Sequence, residues 1–396
     1  MRRSRPPRNR NPKRKEHNMK LIHMSDLHIG KRMYEFSLLE DQRYILAQAL
    51  SIVEREKPDA VILAGDLYDK AVPPAEAVQV LDQFLTGLSK RVPAVFFISG
   101  NHDSAERLAF GASLMRDCGV YTSPVYDGHP VKVSLKDAYG TVQIHLLPFI
   151  RPAVVRHAFP EVEILTYQDA VRTAIEHMEI NPEERNVLAA HQFVTGAGRC
   201  ESEEIFVGGL DNIEVSLFEA FDYVALGHIH SPQHVGRETV RYCGTPLKYS
   251  FSEAGQQKSI TVVELMEKGC VEIRESLLTP LREVRTLRGT YMEVTSKSFY
   301  EGMNLEDYVQ ITLTDEDDIP DGMQKLRSIY HNLMRLEYDN RRTREHRRFE
   351  VSDDGERKSE MELFEEFFRL QNNRPMGEEQ RAFAGKLLQE IKEGQE

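Results

Sequence analysis

Cysteine is scarce in this chain. Its 396 residues hold four, Cys118, Cys200, Cys243 and Cys270, with no CxxC pair among them. That excludes a disulfide scaffold and a zinc knuckle, and reads as reduced thiols in a cytosolic protein. Long apolar runs are also missing: none approaches the ~20 residues that span a bilayer, so no membrane partner is expected. Positive charge is in deficit, 51 Lys and Arg against 63 Asp and Glu, for a net −12. A protein that coats DNA by bulk charge is excluded, and any nucleic-acid contact must be local. What remains, 40% hydrophobic and 29% charged residues, is ordinary globular composition, neither collagen-like nor disordered. The length predicts two or three domains.

The first 18 residues carry eight Lys or Arg and one acid, Glu16. No apolar segment follows, so they are no secretory signal and read as a solvated basic extension or a DNA-contacting arm. From Met19 onward short apolar strands alternate with helices. LIHM, DAVILAGD and PAVFFISG are strand-like, the last two as continuous runs suited to a sheet buried on both faces. Leu38 to Lys57 has helical spacing. Pro73 and Pro74 open a second helix with a stripe of Val78, Leu81 and Leu85. Further strands are expected near Ile144–Leu147, Asn186–Ala190, Tyr223–Leu226, Arg241–Cys243 and Ser259–Glu264. This is an α/β domain. After about residue 280 the character changes. Tyr308–Thr314 alternates as a half-exposed strand, and Met323, Leu326, Ile329, Tyr330 and Leu333 form a helical stripe. Together they predict a small α+β module. Residues 339–358 are almost without apolar side chains and read as a linker whose arginines either are solvated or touch phosphates. Ser359 and Glu362 then fit a capping box, followed by Leu363, Phe364, Phe367, Phe368 and Leu370. A second stripe holds Phe383, Leu387, Leu388 and Ile391. These helices either fold back on their own core or lie in a groove of another protein.

Five segments carry chemistry: Asp26-Leu-His28, Gly65-Asp66, Gly100-Asn101-His102-Asp103, His191-Gln192 and Gly227-His228-Ile-His230. Each lies at or just past the end of an expected strand, where α/β sheets bind ligands. The first three are about 35–40 residues apart, one βαβ unit. In an extended segment residues i and i+2 point the same way, so Asp26 and His28 can reach one ion, and His228 and His230 one or two. Asp66 can bridge two cations through its two oxygens, and Asn101 offers a neutral carbonyl. Oxygen and imidazole donors without thiolate favour Mn²⁺, Fe²⁺ or Zn²⁺, and octahedral demand favours Mn²⁺. No Ser or Cys nucleophile constellation is present, which points to direct hydrolysis.

The ordered set D-x-H, GD, GNHD, H and GHxH resembles the calcineurin-like metallophosphoesterase superfamily. MKLIHMSDLHIGK, AGDLYDKAVPP, SGNHDSAERL, FDYVALGHIHSPQ and RYCGTPLKYSFSE are similar to its branch of bacterial double-strand-break nuclease subunits. The resemblance implies a four-layer αββα sandwich over residues 19–280, a small α+β capping domain over 281–338 that guides DNA, the charged linker, and C-terminal helices over 359–396 that dock on an SMC-type ATPase. It implies one divalent ion, most simply Mn²⁺, held by Asp26, His28, Asp66 and His230. Asp66, Asn101, His191 and His228 would hold a second, with Asp66 shared. His102 matches the catalytic histidine, with Asp103 orienting it. The implied activity is 3′→5′ exonuclease action on duplex DNA and endonuclease action on single strands and hairpins. The assembly would be a homodimer within a heterotetramer, in the cytoplasm. Lys248, Tyr249 and Arg107 are candidate DNA contacts. A phosphatase of phosphoproteins or small molecules would use the same metal site, and a non-catalytic scaffold is the reading from another class.

Overall fold

The computed structural model describes residues 18–203, 212–341, 343–344, 361, 364–365, 368, 376–377, 380–385 and 387. The expectations for residues 1–17, for the linker beyond residue 344 and for most of the two C-terminal helices lie outside the described residues. The chain divides into two compact units between Glu283 and Val284.

The first unit is built on two six-stranded sheets. One runs, in spatial order, Val271–Leu277, Ser259–Leu265, Met19–Met24, Ala60–Ala64, Ala94–Ile98 and Val120–Thr122. The four strands from Met19–Met24 onward are mutually parallel, and Ser259–Leu265 joins them antiparallel. The other runs Gln233–Val235, Arg237–Tyr242, Tyr223–Gly227, Arg185–His191, Gly140–Leu147 and Val131–Asp137, parallel through its centre with antiparallel edges. Leu21, Ile62, Phe96 and Val263 of the first sheet share one core with Ile144, Val187 and Ala225 of the second, so the sheets pack face to face. The helices Leu39–Glu56 and Ala75–Ser89 bury Ile45, Ala49, Val53, Val80 and Phe84. The second sheet packs with the helices Pro152–Ala158 and Tyr167–Glu176 through Val155, Val171, Leu188 and Val224. The result is the expected αββα sandwich. Ala60–Ala64 and Ala94–Ile98 are buried throughout, and each buried Val, Leu, Ile or Phe contributes roughly 1.5–3 kcal/mol.

The Ala75–Ser89 helix turns differently from its expected stripe. Its buried positions are Ala77, Val80, Leu81, Phe84 and Leu88, while Val78 is exposed; a short apolar-rich window fits more than one rotation at 100° per residue. All four cysteines are free. No described helix is long and apolar enough to cross a membrane.

The second unit holds three parallel strands, Val284–Gly289, Tyr308–Leu313 and Asn332–Tyr338. Their core gathers Val294, Val309, Ile311, Leu313, Leu326, Tyr330 and Leu333. The expected helix through Leu333 is shorter, Gly322–Arg327, and Leu333 belongs to the third strand. Tyr330 sits in the turn between them, its hydroxyl donating to Val294 O at 2.7 Å, and keeps the apolar spacing going after the helix has ended.

Candidate metal centre

The parallel strands of both sheets deliver their carboxyl ends to one place. Asp26 and His28 follow Met19–Met24, Asp66 follows Ala60–Ala64, and Asn101 and His102 follow Ala94–Ile98. His191 ends Arg185–His191, and His228 and His230 follow Tyr223–Gly227. The two sheets approach closely there. A Cβ on Gly227 would lie 1.9 Å from Ala64 O, and one on Gly100 2.0 Å from Asp66 Oδ1; only glycine allows the sheet ends to meet.

The convergence does not come from extended backbone. Asp26 (φ 52°), His28 (φ 43°), Asp66 (φ 49°) and His228 (φ 99°) are all left-handed, which corrects the i, i+2 argument for Asp26 and His28. A non-glycine residue held there costs on the order of 1–3 kcal/mol. Four such residues in one cluster mark a place where position outweighs backbone comfort.

The side chains then meet at hydrogen-bond range. His28 Nε2 is 3.1 Å from His230 Nε2 and 3.6 Å from Asp66 Oδ2. His191 Nε2 is 3.3 Å from Asp66 Oδ2 and 3.0 Å from Asn101 Oδ1, and His228 Nδ1 is 3.0 Å from the same Asn101 oxygen. Asp26 Oδ1 accepts from the His228 amide at 2.9 Å. Asp26, His28 and His230 thus offer three ligand atoms within 4.8 Å of one another, and so do Asp26, Asp66 and His191. His102 stands at the rim. Its amide donates to Asp66 Oδ1 at 3.0 Å, its Nδ1 is 3.1 Å from Asp69 O, and its Nε2 is 4.0 Å from Asp66 Oδ2.

The electrostatics suit cations. Burial pushes the Asp26 carboxyl up to about 7. Burial would raise Asp66 as well, but the surrounding imidazoles, His191 first, hold it well below the ordinary carboxylate range. Burial keeps His28 and His230 far below 6.5 and His228 down at about 3, so all three are neutral and present lone pairs. His191 is the exception: burial opposes its charge, yet Asp66 raises it to about 9. Asp26 Oδ2 and His28 Nδ1 are buried without a hydrogen-bond partner. An unpaired buried carboxylate oxygen facing neutral imidazoles is a poor arrangement for a protein alone and a good one for divalent cations, whose oxygen and nitrogen donors these are. The residues fit the ions.

Around this cluster sit residues that the sequence reading missed. Asp69, inside the AGDLYDK segment, joins His28 and His102 as a third group of ligand-type atoms. Gln42, from the first helix, donates to His28 O at 2.7 Å and accepts from the Gly30 amide at 2.9 Å. Asp103 accepts from the amides of Leu67, Tyr68 and Gly100 at 2.9–3.0 Å, so its hold on His102 runs through the loop backbone. Two candidate DNA contacts are corrected. Tyr249 is buried, and its hydroxyl donates to Leu27 O at 2.5 Å; its ring meets His28 edge-on at 5.7 Å and cannot receive a base. Lys248 Nζ is committed to Ala254 O at 2.8 Å and Glu283 Oε1 at 2.7 Å. Arg107 is exposed on the four-residue helix after the Asn101–His102 loop.

Residues 19–232 match the calcineurin-like phosphoesterase model. Residues 280–372 match a second model, described as the type 5 capsule protein repressor C-terminal domain. Among solved structures the chain is similar to TT1561 of Thermus thermophilus (14% identity, TM-score 0.39, covering 65% of this chain and 99% of that one). It is also similar to a dimetal phosphatase from Danio rerio (11% identity, TM-score 0.37, covering 65% and 95%). The chain belongs to the calcineurin-like phosphoesterases. Among curated proteins it is 33% identical to SbcD, the nuclease SbcCD component of that name from Staphylococcus epidermidis, over 323 residues, 80% of this chain and 85% of that protein. Within the phosphoesterases it is therefore a member of the SbcD family.

Proposed function

We propose that the chain is the nuclease subunit of an SbcCD-type complex, a hydrolase that cuts DNA phosphodiesters with two divalent cations, Mn²⁺ by preference. The observation that carries this is the convergence of Asp26, His28, Asp66, Asn101, His191, His228 and His230 from five strand ends of two sheets. Asp26, His28, Asp66 and His230 would hold one ion and Asp66, Asn101, His191 and His228 the other. When bound, such a pair offsets phosphate charge and lowers the pKa of water. The chain's own part is orientation and proton handling. His191 Nδ1 donates to Ala64 O at 2.8 Å, which turns its Nε2 lone pair to the site. His102 is steered likewise by Asp69 O; its Nε2 faces the cluster from the half-exposed rim and would carry a proton to the departing sugar oxygen. Arg107 would meet the DNA backbone.

In this reading residues 19–280 are the nuclease domain, 281–338 a capping domain that guides DNA, 339–358 a linker and 359–396 the helical segment that docks on the SbcC-type ATPase. The nuclease subunits pair as a homodimer within a heterotetramer in the cytoplasm. Family membership over 80% of the chain supports the DNA substrate and the ATPase partner. The test is cleavage of end-labelled duplex and hairpin DNA with Mn²⁺ or Mg²⁺, with and without the ATPase, against a nucleotide monophosphate. Metal-dependent 3′→5′ shortening of the duplex and opening of the hairpin are expected. Turnover of the monophosphate alone would return the chain to the phosphatases.

A further inference from the structure

The GTPLKYSFSE segment, deprived of its expected DNA contacts, has another use. Its last residue, Glu253, is fully buried. Glu253 Oε1 accepts from Ser202 Oγ at 2.6 Å, and the same Ser202 Oγ lies 2.6 Å from His230 Nδ1. A serine hydroxyl has one proton. With that proton given to Glu253, the short contact to His230 is made only if Nδ1 carries the hydrogen and Ser202 Oγ accepts it. The Nε2 of His230 is then bare, on the side where it faces His28 Nε2.

The anchor of this relay is itself fixed. Glu253 Oε2 accepts from the buried Lys258 Nζ at 2.6 Å, and Lys258 donates further to Gln256 Oε1 at 2.8 Å and to His230 O at 2.9 Å. All three ammonium protons of Lys258 are thereby placed. Glu203 Oε1 accepts from the His230 amide at 2.7 Å. Side chains from two loops thus hold the amide, the carbonyl and the ring nitrogen of this one histidine. His191 obtains the same ring orientation from a backbone carbonyl, Ala64 O; His230, beyond its strand end, draws on Ser202 and Glu253 instead.

We propose that Ser202, anchored by Glu253, is a positioning residue that locks His230 as the Nδ1–H tautomer and aims its Nε2 at a cation. The proposal rests on the reading of His230 as a metal ligand, and the test separates the two. The first measurement needs no metal: long-range ¹H–¹⁵N spectra of the chelated full-length protein labelled with ¹⁵N-histidine, His230 being assigned by its loss in His230→Gln. The wild type should show a single Nδ1–H tautomer at His230. Ser202→Ala should show a mixture of tautomers, and Ser202→Thr, which keeps the hydroxyl, should restore the single form. The second is calorimetric titration with Mn²⁺ alone. Ser202→Ala should bind one of two ions about 10–100-fold more weakly, the usual effect of losing an outer hydrogen-bond partner, while Ser202→Thr binds as the wild type. An unchanged tautomer or unchanged affinity in a Ser202→Ala protein that melts normally overturns the proposal. Unchanged affinity in His230→Gln removes the metal-ligand reading and the proposal with it.

Discussion

Replacing Asp66 by Asn tests the shared carboxylate with almost no change of shape. Asp66 Oδ2 faces His191, His28 and His102 at 3.3, 3.6 and 4.0 Å, and Oδ1 takes the His102 amide, a bond that Asn retains. The substitution removes one charge from a site meant for two cations. An ion that binds only the folded chain, present at a thousand times its Kd, stabilises by about 4 kcal/mol. At roughly 2–4 °C per kcal/mol for a domain of this size, that raises Tm by roughly 8–16 °C. Loss of even an outer-shell partner weakens metal by about 10–100-fold, so loss of a charged ligand should cost at least the upper figure. A hundredfold weaker site at the same Mn²⁺ concentration keeps about 1.4 kcal/mol of that stabilisation. The variant should therefore lose roughly 5–11 °C of the Mn²⁺-induced rise. Thermal melting with EDTA and with excess Mn²⁺, wild type beside variant, reads the difference directly. A full Mn²⁺-induced rise in Asp66→Asn would refute the idea that this carboxylate faces the ions.

His102→Asn, with its imidazole at the half-exposed rim, should keep the Mn²⁺-induced rise in Tm and lose about 10²–10⁴-fold in duplex cleavage; cleavage at the wild-type rate rejects the proton-carrying role. Tyr249→Phe removes the hydroxyl bonded to Leu27 O and should cost about 0.5–1.5 kcal/mol in urea unfolding with DNA affinity unchanged; weaker DNA binding without loss of stability would return Tyr249 to the substrate. Asp137→Asn should cost about 3–5 kcal/mol, because it leaves the buried Arg185 without its carboxylate. Burial alone would raise the Asp137 carboxyl, but the Arg185 hydrogen bond prevails and its pKa lies below 3.8. The stability it contributes is therefore complete above that value and is lost as pH falls through the lower folded pKa. Wild type and variant should converge in acid, and a gap that stays constant to pH 2 contradicts the linkage. Removal of residues 359–396 should abolish co-purification with the ATPase and leave Mn²⁺-dependent cleavage by the chain alone intact.

The strands that position the site were legible because they are buried on both faces. Ala60–Ala64 and Ala94–Ile98 admit no polar residue, and their ends are marked by Gly, Asp, Asn and His. The edge strands were not. Val131–Asp137 and Val271–Leu277 alternate apolar residues with Lys, Ser, Glu and Arg and are half-covered at most positions, a pattern shared with surface loops. The ligand-type residues were readable from their types and order, yet their convergence through left-handed backbone was not, since no side chain announces a positive φ at Asp26 or His28. The outer supports were hidden for another reason. Gln42 lies in a helix and Ser202 in a loop, where such residues are usually solvent-facing, and only the fold shows that each touches a site residue.

An acidic nuclease domain needs an account of how it holds a polyanion, and the buried charges provide one. Lysine and arginine near the site are largely spent on the protein itself: Lys258 on Glu253, Lys248 on Glu283, Lys31 on Asp69. Those ion pairs stiffen the loops but leave little cationic charge to offer a phosphate. The attraction has to come from the ions that the neutral imidazoles and the Asp26 and Asp66 carboxylates are arranged to receive. Phosphate binding and phosphate cleavage then depend on the same cations, so that a chelated chain should release DNA from this site as well as fail to cut it. A surface that bound DNA through its own arginines would keep its affinity in EDTA and lose only the chemistry.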